Sequence, residues 1–294
     1  MHKASTAPVT ADIVAAFVDE RNGGNLAGVV LDRPDLTEGQ QQHIAAELAL
    51  SETAFLTAVA DGFRFDVFTP TARVPDCGHA TVGSFGLLAQ RGRIPSGATI
   101  KHTIAGPRAI RVDDGAIFMQ QPTPTFTFLE IKGPAIAASL GVTDFSVFAG
   151  YATLAKHDVA FIIIALTNTT ALAALRPDMA RIQAVTDEAG AIGYYVYAPG
   201  NGVDATARMF APGFGIPEES ATGMAGGLLA AYLYDRGGVR NDTIAIDQGV
   251  FMLPPSPSRI GARLAHERGR LTELWVGGRA RVMRTQTVSV PEKA

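Results

Sequence analysis

The sequence predicts an α+β fold of two similar lobes, in which each lobe is a sheet curled around its own apolar helix. The main observation is an internal repeat. Residues 77–80 are Cys-Gly-His-Ala and residues 222–225 are Thr-Gly-Met-Ala, and nearly half of the 294-residue chain separates them. Each copy continues as a long apolar stretch that ends in Arg-Gly. Solenoid repeats are about 20 to 50 residues long, so this longer spacing favours two lobes over a repeat array.

Composition indicates a core-rich globular protein. Hydrophobic residues make up 47% of the chain and charged residues 18%, whereas charged residues usually make up about 25%. The net charge of −3 and the lack of a basic cluster argue against nucleic-acid binding. A single cysteine excludes an internal disulfide, and no apolar run reaches the length of a membrane span. Because the first residues show no secretory signal, we expect a cytoplasmic protein without nucleic-acid or membrane partners.

Short strands and one amphipathic helix are predicted before the first copy of the repeat. Apolar runs bounded by turn residues predict strands at 13–18, 27–31, 54–59 and 64–68. Thr37 is the predicted N-cap of a helix that carries Ile44 and Leu48 on its apolar face and ends near residue 50. The repeat itself then predicts a helix over 78–90.

The second half follows the same plan. Its apolar pattern predicts helices at 179–188 and 223–234 and strands at 159–166, 194–197, 208–210, 243–247, 259–265 and 274–283. The Pro-rich residues 121–124 are the predicted crossing between the halves.

The two repeat helices are apolar on nearly every face, which is typical of helices surrounded by protein. The start of a helix has unpaired N–H groups and a dipole that favours a negative charge. Two such starts, at Gly78 and Gly223, would bind the carboxylate of a small molecule in a cleft between the lobes. The alternative is that both glycines only permit tight turns.

Carboxylates are placed asymmetrically on this symmetric scaffold. Glu52 opens a strand in the first half, and the matching junction in the second half has no acid. Conversely, Glu218 and Glu219 precede only the second repeat helix. This asymmetry suits proton transfer between two positions of one substrate. The alternatives are a surface or helix-terminal acid at Glu52 and acids that complement the helix dipole at the other two positions.

His79 and Cys77 are the remaining candidates at the first helix start. His79 is either a substrate-orienting group or a core histidine, and Cys77 is either a thiol activated by the helix or a small buried side chain. The other histidines lack the spacing of metal ligands, and the chain has no phosphate-binding loop, dinucleotide fingerprint or paired-cysteine motif. We therefore expect neither a metal nor a cofactor.

Seven segments of the chain resemble the PhzF-like family of phenazine biosynthesis, namely 24–30, 51–55, 68–70, 77–81, 208–212, 215–218 and 221–223. The resemblance implies the diaminopimelate epimerase-like fold, with two pseudo-symmetric lobes that are each a barrel-like, mostly antiparallel sheet around a central helix. In that fold the chain end returns to the first lobe. It thus implies an N-terminal lobe of 1–122 with 276–294 and a C-terminal lobe of 123–275.

The same resemblance implies a cofactor-independent, homodimeric isomerase that moves a proton between carbons of a small carboxylate-bearing substrate, as trans-2,3-dihydro-3-hydroxyanthranilate isomerase does. Glu52 matches the family's acid/base, and His79 and Glu219 match groups that orient the substrate. The residues that match the substrate-binding positions are Asn25, Cys77, Gly78, Ala80, Thr222, Gly223 and Met224. A racemase with two opposed thiols would need a second cysteine where the chain has Thr222.

The second repeat departs from the family pattern, which favours a changed substrate and keeps two alternatives open. Glu219 replaces an aspartate, Ser220 a proline and Met224 a serine whose hydroxyl would contact the substrate. Loss of such a donor costs about 1 to 3 kcal/mol for a ligand that needs it. The alternatives are a binding or regulatory protein without turnover and an epimerase of amino or hydroxy acids.

Overall fold

The computed structural model describes residues 8–129 and 133–291, and the outermost ends of the predicted N-terminal lobe lie outside these ranges. The described chain divides into two compact units. Unit 1 comprises the residues up to Val18, Asn25–Met119 and the residues from Gly277 onward. Unit 2 comprises Asp19–Gly24 and Gln120–Val276. The α+β class and the mostly antiparallel sheets predicted from the sequence are confirmed.

The described residues form seventeen strands and six α-helices. The strands are β1 (Val9–Val18), β2 (Asn25–Leu31), β3 (Glu52–Val59), β4 (Gly62–Phe68), β5 (Arg73–Val74), β6 (Gly97–Thr103), β7 (Gly106–Asp113), β8 (Ala116–Gln121), β9 (Thr125–Phe128), β10 (Thr153–Lys156), β11 (Ala160–Ala165), β12 (Gly193–Pro199), β13 (Ala205–Ala211), β14 (Ile216–Glu219), β15 (Thr243–Gln248), β16 (Ser258–Glu267) and β17 (Arg270–Val288). The helices are α1 (Glu38–Leu48), α2 (Gly78–Gln90), α3 (Gly133–Ser139), α4 (Thr169–Ala174), α5 (Met179–Ala189) and α6 (Gly223–Asp235). None of them has the length and hydropathy needed to cross a membrane.

In unit 1, eight strands close into a barrel in the order β1, β2, β3, β4, β6, β7, β8 and β17, with β17 pairing back to β1. The pairs β2–β3 and β4–β6 are parallel, and helices α1 and α2 lie in the connections between these strands. Parallel neighbours need such crossover connections. The strand that closes the barrel, β17, lies far in sequence from its two neighbours, β1 and β8.

Helix α2 is surrounded by the strands of unit 1. Its residues from Gly78 to Leu88 are all buried, and it contacts β1, β2 and β3. A Cβ atom added to Gly86 would lie 2.5 Å from Cβ of Ala280 in β17. Glycine at this position therefore permits the close approach of helix and strand, and the all-round apolar pattern of the repeat is explained by burial.

In unit 2, the sheet is covered on both faces by helices. Helix α6 is buried along most of its length and contacts β10, β11 and β16. Helices α4 and α5 contact β12, and Leu172 and Ile182 share an apolar cluster with Tyr194 and Val196 of that strand. A strand buried on both faces is expected to be apolar throughout, which accounts for the continuous apolar run of β12.

The segment Asp19–Gly24 is grouped with unit 2, which differs from the predicted boundary. It is the turn between β1 and β2, and its own contacts explain the grouping. The Arg21 guanidinium donates two hydrogen bonds to Asp247, at 2.6 and 2.9 Å. The hydroxyls of Ser220 and Ser256 both donate to the carbonyl oxygen of Gly24. The bidentate contact between Arg21 and Asp247 is of a strong and geometrically specific type.

The predicted cap of α1 is present as a capping box. The Thr37 hydroxyl accepts from the backbone N–H of Gln40, and the Gln40 side chain accepts from the backbone N–H of Thr37. The helix ends at Leu48, slightly before the predicted end, because Ala49 adopts a left-handed conformation with φ of 51°. The chain then turns directly into β3, which starts at Glu52. This turn determines where the Glu52 carboxylate lies.

Candidate active site

Three candidate residues of unit 1 form one cluster, here called the Glu52 cluster: Glu52, Cys77 and His79. Glu52 is the first residue of β3, Cys77 is the N-cap of α2, and His79 lies in the first turn of that helix. The start of a strand and the start of a helix thus bring together residues that are distant in sequence. Both elements belong to the barrel of unit 1, which fixes their side chains.

The ring of His79 is the centre of the cluster. Its Nε2 atom lies 3.2 Å from Oε2 of Glu52 and 3.3 Å from Oγ of Ser51, and its Nδ1 atom lies 3.4 Å from Sγ of Cys77. The side chains of His79 and Glu52 are 5% and 13% exposed. Cys77 is buried, whereas Ser51 is exposed. The cluster is therefore largely shielded from bulk water.

The charges of the cluster follow from these contacts. Burial alone would raise the pKa of Glu52, but the positive His79 ring and the Ser51 hydroxyl lower it below its ordinary value of 4.5. Burial alone would lower the pKa of His79, but Cys77 and Glu52 raise it well above its ordinary value of 6.5. Burial and the Glu52 carboxylate raise the pKa of the Cys77 thiol. Near pH 7 the cluster therefore holds a Glu52 carboxylate and a neutral Cys77 thiol, and the carboxylate favours the protonated form of the His79 ring.

One oxygen of Glu52 is available for chemistry. Oε2 is buried and receives no aligned hydrogen bond from the described residues, although His79 lies within ion-pair distance of it. A buried carboxylate oxygen in this state can accept a proton from a bound molecule, and the neighbouring imidazolium can stabilise charge that develops on that molecule.

The ligand atoms of Glu52, Cys77 and His79 all lie within 4.8 Å of one another. In the described part of the chain this set is close enough to bind one metal ion, and nitrogen, sulfur and oxygen donors of this kind suit zinc. Both ring nitrogens of His79 are already in contact with protein groups.

The other candidates of unit 1 lie on the same two elements or on the neighbouring strand. Gly78 and Ala80 are buried in the first turn of α2. Asn25 is buried at the start of β2, two residues before Ala27, which pairs with Glu52. Neither helix cap, Cys77 nor Thr222, makes a side-chain hydrogen bond to its own helix. Uncapped helix starts suit the binding of a carboxylate.

The candidates of unit 2 form a second group, here called the Gln248 network. The Thr222 hydroxyl donates to Oε2 of Glu219 at 3.0 Å. The Gln248 amide donates to the carbonyl oxygen of Glu219 and to the Thr222 hydroxyl, at 2.7 and 3.1 Å. Its Oε1 accepts from the Thr222 N–H and the Tyr195 hydroxyl, at 3.2 and 2.8 Å. Gln248 is fully buried, so this network fixes the loop before α6.

Glu218 and Glu219 face different partners. Both oxygens of Glu218 accept from the guanidinium of Arg208 at 2.8 Å, in an ion pair with little exposure. Glu219 instead lies beside the helix start, with Thr222. Gly223 is buried and Met224 is half-buried in the first turn of α6. Of the two neighbouring acids, Glu219 is the one predicted to orient the substrate, and it is the one that lies next to the start of α6.

Sequence reasoning did not find Gln248, Tyr195 or Lys101 as members of the site's surroundings. Each is a polar side chain on a strand and is almost completely buried. Gln248 could have been noticed because it is a polar residue at the end of a strand that carries apolar residues, and a buried polar group requires partners.

A model of the phenazine biosynthesis-like protein family, PhzC-PhzF, matches residues 14–286. The chain is 39% identical over 242 residues to an uncharacterized isomerase of Deinococcus radiodurans, which covers 79% of each chain. It is 31% identical over 275 residues to trans-2,3-dihydro-3-hydroxyanthranilate isomerase of Pseudomonas aeruginosa, covering 90% of this chain and 94% of that protein.

The fold is also found in solved structures. A PhzF-family phenazine biosynthesis protein of Bacillus anthracis superposes with a TM-score of 0.86 at 23% identity, covering 96% of this chain and 99% of that one. A hydroxyproline epimerase of Agrobacterium vitis, solved with trans-4-hydroxy-L-proline, superposes with a TM-score of 0.57 at 13% identity, covering 96% and 92%. At these identities the structural likeness establishes the fold alone.

Proposed function

Because the chain belongs to the phenazine biosynthesis-like protein family and is an isomerase, we propose that it moves a proton between two carbons of a small carboxylate-bearing substrate. Glu52 is the acid/base of this reaction. The observation that carries the proposal is the buried Oε2 of Glu52, which lies beside the His79 imidazolium and accepts no aligned hydrogen bond from the described residues.

The reaction has two proton transfers. In the first, Oε2 of Glu52 takes a proton from a substrate carbon, so that the C–H bond breaks, an O–H bond forms and the electron pair enters the substrate's conjugated system. In the second, the neutral carboxyl of Glu52 returns the proton to a different carbon. His79 stabilises the carboxylate before the first transfer and the anionic substrate after it. The number of protons and electrons on the enzyme is unchanged after one turnover.

The charge of the cluster limits the substrate class. The pKa of Glu52 lies below its ordinary value, so Glu52 is a weak base. A weak base removes a proton from carbon at a useful rate only when that carbon is activated. We therefore infer a substrate whose C–H bond is adjacent to a conjugated system that delocalises the resulting electron pair. A cyclic diene carboxylate of the trans-2,3-dihydro-3-hydroxyanthranilate type meets this requirement.

Met224 favours a substrate that differs from this compound at one polar group. The side chain is half-buried in the first turn of α6, where the resemblance places a hydroxyl that contacts the substrate. A thioether cannot donate a hydrogen bond. A related ring with an apolar group at this point is therefore the preferred candidate.

The test is conversion of candidate substrates to their isomers, followed by NMR, with substrate deuterated at the donor carbon to trace the transferred hydrogen. We expect Glu52→Gln to reduce the rate at least 100-fold, since positioned acid/base groups contribute on the order of 10²- to 10⁴-fold. Glu47→Gln is the matched control, because Glu47 is an exposed acid on α1. A Glu52→Gln enzyme as fast as the wild type would refute the assignment.

Met224 also supports a second function, a ligand-binding or regulatory protein without turnover. That function predicts a metabolite that co-purifies and is released unchanged, with equal affinity in the wild type and in Glu52→Gln. An epimerase would instead exchange the hydrogen at one stereocentre and racemise its substrate, and the single cysteine argues against a two-thiol version. We further propose a homodimer in the cytoplasm, which light scattering of the purified protein and cell fractionation would test.

A further inference from the structure

We propose that Lys101 is a positioning residue of the active site, whose ammonium group fixes the backbone of Cys77 and thereby the start of the helix that carries His79. The proposal rests on the function proposed above for the Glu52 cluster. It concerns residues of unit 1 only, all of which the structure describes.

Lys101 lies on β6, and its side chain is fully buried. Its Nζ atom donates to Oδ1 of Asp76 and, at 2.7 Å, to Oγ1 of Thr81. The same nitrogen lies 5.0 Å from the centre of the Phe65 ring. A lysine without exposed surface cannot contact a substrate, so any effect on the reaction acts through its neighbours.

Both acceptors of Lys101 also hold the backbone of Cys77. Oδ1 of Asp76 accepts from the Cys77 N–H at 2.7 Å. The Thr81 hydroxyl, while it accepts from Lys101, donates to the Cys77 carbonyl oxygen at 2.6 Å. The Lys101 ammonium group is therefore linked to the Cys77 N–H through Asp76 and to the Cys77 C=O through Thr81.

Cys77 determines the geometry of the cluster in two ways. Its thiol contacts Nδ1 of His79, and its backbone directs Gly78 and His79 into the first turn of α2. A displacement of about 1 Å at a reacting group can cost on the order of 100-fold in rate. Lys101, Asp76 and Thr81, here called the brace, hold the backbone N–H and C=O of Cys77. The brace therefore controls the distance from His79 to Glu52.

The energetics favour a positioning role over a role in stability. Burying an ammonium–carboxylate pair costs desolvation free energy that the attraction often fails to offset, and apolar residues of similar volume are frequently at least as stable. Burial lowers the pKa of Lys101, and Asp76 opposes this shift. Apolar side chains in this core would satisfy packing but could not hold the two acceptors on Cys77. We therefore attribute to the buried Lys101–Asp76 pair the role of fixing one conformation of the Cys77 backbone.

The experiment compares two variants of Thr81, which is buried and outside the catalytic machinery. Thr81→Ser keeps the hydroxyl bridge, and Thr81→Val has nearly the same shape but removes it. We expect Thr81→Ser to retain activity and Thr81→Val to lose on the order of 10-fold in kcat with KM changed less than threefold. The backbone amide signals of residues 77–80 in NMR spectra should shift in Thr81→Val and remain in place in Thr81→Ser.

Lys101 is tested directly with Lys101→Met, which keeps the length of the side chain, and with Asp76→Asn/Lys101→Met, which leaves no unpaired buried charge. Both should shift the signals of residues 77–80 and lower kcat at temperatures at which the protein is fully folded. Lys156→Met, an exposed strand lysine, is the control. If these variants lower the thermal midpoint but leave the signals and kcat unchanged, the brace is only structural and the proposal is overturned.

The two proposals fail in different ways. If the wild-type protein converts no candidate substrate to an isomer, the proposed function fails, and the amide signals of residues 77–80 still test the brace. If the wild type is active and Thr81→Val equals Thr81→Ser in both kcat and spectra, the brace fails while the function remains.

Discussion

Nε2 of His79 lies 3.2 Å from Oε2 of Glu52, and this contact joins the first turn of α2 to the first residue of β3. Because both side chains are largely buried, each determines the charge of the other. Glu52 and His79 are therefore a coupled pair of titratable groups, and neither titrates independently of the other.

The first prediction concerns the pKa of His79. Glu52→Gln removes the negative charge that helps to raise this pKa, so the remaining effect of burial should lower it relative to the wild type. NMR titration of the imidazole signals measures the change, with Glu47→Gln as the control. A His79 pKa that is the same in Glu52→Gln and in the wild type would show that the carboxylate does not act on the ring.

The second prediction is the pH range in which the pair stabilises the fold. The pKa of Glu52 is lowered, so its contribution is present above its unfolded value of about 4.5 and is lost as the pH falls through the folded value. The pKa of His79 is raised, so its contribution is present below its unfolded value of about 6.5 and is lost as the pH rises through the folded value.

Urea denaturation at a series of pH values measures the free energy of unfolding. At both low and high pH this free energy should fall more in the wild type than in Glu52→Gln/His79→Gln. The two proteins should differ most in pH dependence below about pH 4.5 and well above about pH 6.5. Parallel pH curves for the two proteins would be evidence against a coupled pair.

The third prediction compares two glycines of α2. A Cβ on Gly86 would lie 2.5 Å from Cβ of Ala280, whereas the nearest side-chain atom to a Cβ on Gly83 lies 3.6 Å away. Alanine favours helix over glycine by about 1 kcal/mol, and overpacking costs about 1 to 3 kcal/mol. Gly83→Ala should therefore be neutral or stabilising, and Gly86→Ala destabilising. Chemical denaturation measures both, and equal midpoints would contradict the close approach.

The fourth prediction concerns the Gln248 network. Gln248→Leu leaves the Tyr195 hydroxyl and the Thr222 N–H without their acceptor, and unsatisfied buried groups cost about 1 to 3 kcal/mol each. Tyr195→Phe removes one hydrogen bond, while Gln248 still accepts from Thr222. We expect Gln248→Leu to lower the free energy of unfolding more than Tyr195→Phe does. The reverse order in urea denaturation would place the main support of the loop elsewhere.

The repeat helices could be predicted from the sequence because their apolar pattern is independent of the rest of the chain. The pattern predicts a helix over 78–90, and α2 has the same bounds. The second repeat helix extends one residue beyond its predicted end, to Asp235. The strand at 208–210 is longer than predicted and spans Ala205–Ala211. The alanines at its ends have little intrinsic preference for strand, and pairing with β12 and β15 extends the strand over them.

The positions of Glu52 and His79 followed from the junctions at which they lie, but their contact did not. The distance between them depends on the parallel pairing of β2 with β3 and on the left-handed turn at Ala49, which no local pattern specifies. Helices α3 and α4 were missed because each has at most seven residues, too few for a periodic pattern. Lys101 was missed because strand propensity disfavours a buried charge, which only the tertiary partners Asp76 and Thr81 make tolerable.

The strand that closes the barrel of unit 1 is β17, whose neighbours β1 and β8 are both far from it in sequence. A fragment that stops at Met119 would therefore carry two open sheet edges, which template self-association. A peptide of residues 277–291 supplied in trans would pair with both edges at once. The barrel of unit 1 can consequently be divided into two pieces that restore it by reassembly rather than by folding separately.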